Sequence, residues 1–483
     1  MKGSRHTNDL DTFNYLNELK KKGIWLYIDG EKLKYKAIKN ILDSGVLHEI
    51  KSNKERIIKF LNLEKENSVS LSQLQLAYMA GQIEDQRLNN VNAHYYIEFL
   101  RDSIDIKRLE ESLNILIQRN DVLRLIIKSK GEGLILNTVP RYKIKTYEFT
   151  KYIDKLNIRE SMMHRLYPYD SWPMFHLEVG KSKVHEDVLH FSFDCSILDA
   201  WCAGKLVSDL FSIYVGQKVA YPRYSYKQYV NELCNLRNKS VETIKNADRY
   251  WTDRIVNISD GPKLEYKLEL KNLESTTFVR QEYTFDTVIV GKLEKFSKEN
   301  HVTLTAVIMT VYLETLSKVS SEKNLTINIT MFGKLPLDKH ADETLGEFTN
   351  VGLIEYKDES INFIDTVIKT QYQIFKLLEF REYEGINILN KAKRLNLFFP
   401  AVMTCMIGEN YKSTLNGFRE IYSLSQTPQV TIDHHVRIID GEMRISFDYI
   451  EELFNQKYIN NIIEIYVNRV NDICNSKNKG EFI

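Results

Sequence analysis

HFSFDCSILDAWC, residues 190–202, is the stretch whose reading decides the fold. Leu189, Phe191 and Phe193 alternate with other residues at the period of a strand. The run then meets two acids, Asp194 and Asp199, with four residues between them. An apolar helical pattern starts at Trp201 and continues through Leu206, Leu210 and Phe211. The stretch therefore predicts a strand, a tight loop carrying carboxylates, and a helix. Loops held between rigid elements are where chemistry is usually placed. Asp199 also stands where a helix N-cap stands, and an acid there accepts a backbone N–H whether or not it does chemistry. This stretch alone leaves both readings open.

Working outward, three more segments stand out: LSQLQLAYMAGQ at 71–82, RNDVLR at 119–124 and SQTPQVTIDHH at 425–435. Others accompany them: RYWTDRI (249–255), INITMFGKLPL (327–337), GEFTN (346–350), FPAVMTC (399–405) and FDYIEELF (447–454). In this order and at these distances, over roughly residues 68–475, the set resembles the heterocyclization domains of nonribosomal peptide synthetases. Those domains carry Asp-x4-Asp-x2-Ser in place of the His-His-x3-Asp motif of ordinary condensation domains. The resemblance implies a mixed α/β (α+β) fold of two chloramphenicol-acetyltransferase-like lobes meeting in a V, with a tunnel between them. The expected division is an N-terminal docking domain over 1–63, a polar linker over 64–70, an N-lobe over 71–245 and a C-lobe over 246–483.

Bulk properties fit that division. A chain of 483 residues is long enough for two or three domains. Hydrophobic content of 43% and charged content of 27% describe a globular protein. A formal net charge of +1 gives no global field toward nucleic acid or an anionic membrane. Five cysteines, Cys195, Cys202, Cys234, Cys405 and Cys474, are scattered without a CxxC pair, which argues against a zinc site and for reduced thiols. The start, MKGSRHTNDLDTF, has no apolar signal core, and no run approaches about 20 apolar residues. A cytoplasmic location is expected, with neither nucleic acid nor membrane as partner.

Residues 10–63 read as a unit of order α-β-β-α-α. Phe13, Leu16 and Leu19 recur at helical spacing and Gly23 ends that helix. IWLYI (24–28) and KLKYKA (32–37) flank Asp29-Gly30-Glu31, a hairpin signal. IKNILDSG predicts a short helix and VLHEIKSNKERIIKFL a longer one. The unit resembles the docking domains found at the N-termini of synthetase subunits such as those making tubulysin and epothilone. Its 11 Lys/Arg against 7 Asp/Glu leave a local excess of +4. Lys32, Lys34 and Lys36, alternating along one strand, are the candidate docking residues for an acidic C-terminal tail of an upstream synthetase subunit. A solubilising basic cap is the plainer alternative.

The resemblance also implies the chemistry. A cysteinyl, seryl or threonyl amine on one carrier protein attacks the acyl thioester on another. The side-chain thiol or hydroxyl then closes on the new amide carbonyl, and loss of water leaves a thiazoline or oxazoline. No cofactor is expected on this chain; phosphopantetheine belongs to the donor and acceptor carrier proteins. Asp433, matched to the family's acid after QTPQV, is the expected proton-transfer group, provided its pKa moves toward neutrality. Alternation in VTIDHHV puts it on the more polar strand face, where an exposed carboxylate is the ordinary reading. Thr404 matches the family's Thr beside that acid, or is simply a buried Thr.

Asp194 and Asp199 match the two motif acids and are expected to be structural, with Lys334 a candidate partner for Asp199. Gln426 belongs to the SQTPQV motif. Four departures stand out: Cys202 for the motif Ser, Gly333 for Asn, Lys334 for Arg, and Asn120 for His. Cys195 takes the place of the ordinary motif's second His and reads better as a small buried residue than as a nucleophile. His434 and His435 point to opposite strand faces, so no shared metal is expected. The rival readings are an amide-forming condensation domain without cyclization, a non-catalytic docking module, and a CoA-dependent acyltransferase.

Overall fold

The computed structural model describes residues 8–39, 41–81, 88, 91–128, 131–359 and 362–475. The chain opens with α1 (Asp9–Lys21), the hairpin β1 (Ile24–Asp29) and β2 (Lys32–Ala37), then α2 (Ser44–Ser52) and α3 (Lys54–Asn67). Asn8 and Asp11 close a capping box on α1, and Gly23 leaves it at φ +80°, with Ile38 packed too close for a side chain. The predicted short helix over IKNILDSG is not seen at residues 38, 39 and 41–43, and Asn40 lies outside the described residues. Asp43 instead accepts the Val46 N–H and starts α2 there, and the two helices part at Asn53.

The expected linker is regular structure. Residues 64–67 finish α3, and β3 (Ser68–Ser70) follows at once. The N-terminal half continues through α4 (Gln73–Gly81), β4 (His94–Arg101), α5 (Ile106–Arg119), β5 (Leu125–Ile127), β6 (Glu132–Ile135), β7 (Lys145–Glu148) and α6 (Tyr152–Met163). It ends with β8 (Phe175–Lys181), β9 (Asp187–Asp194), α7 (Ala200–Tyr214), α8 (Tyr226–Lys239) and α9 (Val241–Ile255). Gln82, last of the 71–82 segment, lies outside the described residues, as do residues 1–7 and 476–483.

The C-terminal half contains β10 (Phe278–Phe285), α10 (Thr287–Glu299), α11 (Leu304–Ser320), β11 (Asn324–Phe332), β12 (Thr349–Lys357), α12 (Phe363–Glu379) and α13 (Ile386–Arg394). Then come β13 (Ala401–Tyr411), β14 (Thr414–Leu415), β15 (Phe418–Gln426), β16 (Ile432–Ile439), β17 (Glu442–Ile450) and α14 (Gln456–Asn475). One six-stranded sheet runs β10-β17-β16-β13-β11-β12, with β13 parallel to both neighbours. The other runs β14-β15-β4-β9-β8-β7. Residues 414–426, expected within the C-lobe, therefore add to the N-terminal sheet: β15 pairs antiparallel with β4 from Arg419↔Leu100 to Gln426↔His94. This crossing covers an edge of β4 that would otherwise expose a row of backbone groups.

The N-terminal unit is fused to the N-lobe. Phe13, Leu16, Ile57 and Phe60 share one apolar cluster with Ile126, Leu134 and Leu136 of the lobe. Asp9 accepts the backbone N–H groups of Asn137 and Thr138, and β3 pairs with β6. Among the described residues, no single helix is long and apolar enough to cross a membrane.

Candidate active site

A cavity of about 640 Å³ lies between the two sheets. The first wall comes from β16 and β13. Both faces of β16 are buried, because it is central in its sheet and helices cover one side. His434 takes the helix side, stacked on Phe447 with ring centroids 4.4 Å apart. Asp433 and His435 take the other side and line the cavity. Asp433 is thus not the exposed strand carboxylate of the plainer reading; it is only 3% exposed.

Asp433 sits in a set of polar contacts. Thr404 Oγ1 lies 3.5 Å from Oδ1, Thr427 Oγ1 3.3 Å from Oδ2, and His435 Nε2 3.3 Å from Oδ2. Thr404 is carried on β13 beside β11, where its hydroxyl meets Thr330 Oγ1 at 3.0 Å. His435 Nε2 is also 3.4 Å from Asp448, which Arg280 grips through two nitrogens at 2.6 Å each. Burial works to push the Asp433 carboxyl up, but His435, Thr427 and the Arg280 charge together hold it below its ordinary value. The expected move toward neutrality does not occur: Asp433 rests as a carboxylate.

The opposite wall comes from the 190–202 stretch. Asp199 accepts the Cys202 N–H at 2.7 Å as the N-cap of α7. Its other oxygen accepts the Phe348 N–H at 3.2 Å, and its own N–H donates to Gly346 O at 3.1 Å. It therefore ties the 346–348 strap of the C-terminal half to α7. Lys334 is not its direct partner: Nζ donates to Thr344 O at 2.7 Å and stands 4.7 Å from the centre of the Phe348 ring, acting on Asp199 only through charge. Gly333, the neighbouring departure, lets the strap close in, since an added Cβ would lie 2.8 Å from Phe348 O.

Asp194 is fully buried. One oxygen accepts the Ser196 N–H at 2.8 Å and the other has no partner, so burial pushes its carboxyl up to about 6. Cys202 is also fully buried, its thiol 3.8 Å from Thr344 O and its pKa driven up by burial. Gln426 donates to Met163 O at 2.6 Å and meets His164 at 2.9 Å, joining β15 to the end of α6. Of the motif residues, Asp433, Thr404 and Asp199 border the cavity, while Asp194, Cys202, Lys334 and Gln426 are not among its lining residues. Cys195 borders it too, with burial raising its thiol well above the ordinary range, the opposite of an activated nucleophile. Asn120 ends α5, donating to Leu116 O at 3.0 Å.

Sequence reasoning missed Glu347. It is 5% exposed and lines the same cavity. Its signal was the GEFTN segment, quoted without singling out the acid. His435 and Thr427 were missed as partners of Asp433, although both lie in SQTPQVTIDHH.

On the hairpin, the register sets Trp25 opposite Lys36 and Tyr27 opposite Lys34, so aromatic and cationic side chains share a face. Lys32, Lys34 and Lys36 are exposed; Lys34 pairs with Asp29 and Lys36 lies 5.8 Å from the Tyr27 ring centre.

Comparison with known proteins gives a match to the Condensation domain family over residues 65–480 and to the TubC N-terminal docking domain over residues 14–62. Bacitracin synthase 1 of Bacillus licheniformis is 25% identical over 416 residues, covering 82% of this chain and 8% of that protein. Pyochelin synthetase PchE of Pseudomonas aeruginosa is 22% identical, covering 86% of this chain and 30% of that protein. Phenyloxazoline synthase MbtB of Mycobacterium sp. (strain MCS) is 24% identical, covering 80% and 33%. The chain thus spans a third or less of these relatives. In fold it is similar to the EpoB cyclization-docking bidomain of Sorangium cellulosum, at a TM-score of 0.79 and 23% identity over 97% of this chain and 99% of that one.

Proposed function

The chain belongs to the condensation-domain family, and we propose that it works there as a heterocyclization domain of a nonribosomal peptide synthetase. The observation that carries this reading is the buried Asp433, on the cavity wall beside Thr404 and His435. The second stage of the reaction needs a group that takes a proton and returns it. When the acceptor's thiol or hydroxyl attacks the amide carbonyl, its proton passes to the Asp433 carboxylate and on to the carbonyl oxygen. The new C–S or C–O bond has closed the ring; the ring nitrogen then loses its proton, the hydroxyl takes one up and leaves as water, and a C=N bond forms. An ionised carboxylate is the right starting form for the first transfer, and Thr404 orients it. Such positioned acid–base catalysis is worth roughly 10²–10⁴-fold.

Both substrates arrive as phosphopantetheine thioesters on carrier proteins. The upstream partner is an acidic C-terminal tail that binds the hairpin face of Lys32, Lys34 and Lys36. The docking-domain match over residues 14–62 and the shared aromatic and cationic face support this reading.

The test supplies cysteinyl-carrier and a model acyl-carrier and reads product mass. Wild-type protein is expected to give product lighter than the amide by one water. Asp433→Asn is expected to accumulate uncyclized amide, with Thr404→Val biased the same way more weakly. If the wild type stops at amide, the chain is an amide-forming condensation domain. If Asp433→Asn lowers both products in equal proportion with the fold intact, the role of Asp433 is wrong.

A further inference from the structure

Glu347 is a buried acid that the second-stage chemistry does not use. It projects from the strap between β11 and β12, at the border of the main cavity and of a smaller one of about 70 Å³. Its Oε1 accepts the Thr349 N–H at 2.7 Å, which fixes the carboxyl, while the buried Oε2 has no hydrogen-bond partner. A buried carboxylate oxygen without a partner is costly, and proteins keep such groups where a ligand completes them. Among the described residues, no three His, Cys, Asp or Glu side chains converge as metal ligands do.

Its surroundings say what that ligand is. Asp199, on the same cavity wall, and Asp194 behind it act on Glu347 through their charge, and Tyr78 of α4, Cys195 and Tyr226 of α8 feel the charge of Glu347 in turn. Arg237, which pairs with Glu384 at 3.0 Å, and Arg381 border the smaller cavity, Lys393 borders the main one, and Lys334 stands 4.7 Å from the ring of the neighbouring Phe348. Three carboxyl groups with no direct cationic partner make a site short of positive charge. The reaction brings one cation into the cavity, the α-ammonium of the aminoacyl acceptor. That ammonium must lose a proton before its nitrogen can attack.

We propose that Glu347 receives the acceptor's α-ammonium and takes the proton it sheds before amide formation. The inference rests on the condensation reading above. In the step, one N–H proton passes to Oε2. The neutral amine adds to the donor thioester carbonyl, the C–N bond forms and the C–S bond breaks. A second N–H proton goes to the departing thiolate, and Glu347 later returns its own proton to solvent. Burial, with the charges of Asp199 and Asp194, holds the Glu347 carboxyl well above its ordinary value, which makes it a stronger base than an ordinary carboxylate.

The test uses the full chain with the same two loaded carriers and counts amide and ring together. Glu347→Gln keeps the shape and removes the base. It is expected to lower total condensation by about a hundredfold or more, with the ratio of ring to amide held. The rate–pH profile should lose the limb that the Glu347 carboxyl contributes in wild type and retain only that of the free amine, near about 8. Glu347→Asp keeps a carboxyl one methylene shorter; it should recover at least tenfold of the loss, and it serves as the test if the Gln variant does not fold. Total condensation within about threefold of wild type, or a loss confined to ring closure, overturns the proposal. If wild type makes amide only, cyclization fails as a reading, yet the fall or persistence of amide in Glu347→Gln still decides this one.

Discussion

Removing the N-terminal unit tests how the protein is built as much as how it docks. A tethered docking domain would come off cleanly. Here Ile126, Leu134 and Leu136 of the N-lobe, each fully buried, share their apolar cluster with α1 and α3. Exposing a large aliphatic side chain costs about 1.5–3 kcal/mol. Three of them give roughly 5–9 kcal/mol, an upper range because each keeps some cover. The lost hydrogen bonds from Asp9 add about 1 kcal/mol each. A domain's whole stability is only about 5–15 kcal/mol. A chain starting at residue 64 should therefore lose most of the N-lobe's stability, seen as a large fall in urea midpoint or as insoluble protein. It should also bind a dye for exposed apolar surface. Truncation cannot then separate docking from folding. Charge reversal can: Lys32→Glu and Lys36→Glu, both on exposed side chains, should leave the midpoint unchanged and weaken an acidic tail peptide, most at low salt. A truncated protein that melts with the wild-type midpoint and cooperativity would refute the shared-core reasoning.

Three further outcomes follow from the site. Asp194→Asn should stabilise the protein at pH 8 but not at pH 4: the carboxyl, raised from 3.8 to about 6, carries no ionisation cost below 3.8, a growing one between, and up to about 3 kcal/mol above 6; melting curves across that window check it. Asp199→Ala should cost about 2–4 kcal/mol in denaturant titration, from a lost N-cap and an unpaired Phe348 N–H, whereas Asp199→Asn, which keeps the cap acceptor but sets an NH2 against the Phe348 N–H, should lose only part of that. Thr427→Val should raise the Asp433 pKa, because it removes a donor to the carboxylate; the acid limb of ring closure against pH should move upward.

What the sequence made legible was local or carried by motif order. Asp29-Gly30 announced its hairpin because positive φ at Gly30 leaves few alternatives. Asp199 announced a cap because an acid before an apolar helical run has little else to do. Asp433 and Thr404 were located by their segments, and β13 and β16 bring them together. What stayed hidden depends on pairing distant parts of the chain. Nothing in the periodicity of 414–426 says that it joins β4. Alternation in VTIDHHV suggested a polar face open to water, yet in a central strand that face meets the other lobe and is buried. The Lys334–Asp199 pairing followed from motif logic, but α7 brings the Cys202 amide and the strap the Phe348 amide to Asp199, and the strap offers Lys334 a carbonyl. Glu347 looked like an ordinary loop acid because only the assembled site shows that its second oxygen lacks a partner.

The two sides of the cavity hold their carboxyl groups in opposite states, and under the proposed function that would divide the chemistry. On the β16 wall, Asp433 and Asp448 face His435 and the Arg280 fork, so Asp433 is kept ionised despite burial. On and behind the other wall, burial raises Asp194, Asp199 and Glu347 alike, with the charges of Asp199 and Asp194 adding to the rise at Glu347 and Lys334 partly offsetting it at Asp199. Groups pushed apart in pKa within one site suit different proton transfers. The first stage must strip a proton from an ammonium, which calls for the stronger base, a carboxyl raised by like charges. The proposed second stage must take a thiol or hydroxyl proton and soon return it to a leaving hydroxyl, which calls for a carboxylate whose conjugate acid gives the proton up readily. In the proposed reaction Asp433 would meet that need, because its depressed pKa makes its protonated form a strong donor, and the low driving force for taking the thiol or hydroxyl proton would be offset by having Thr404 and His435 already in place around it.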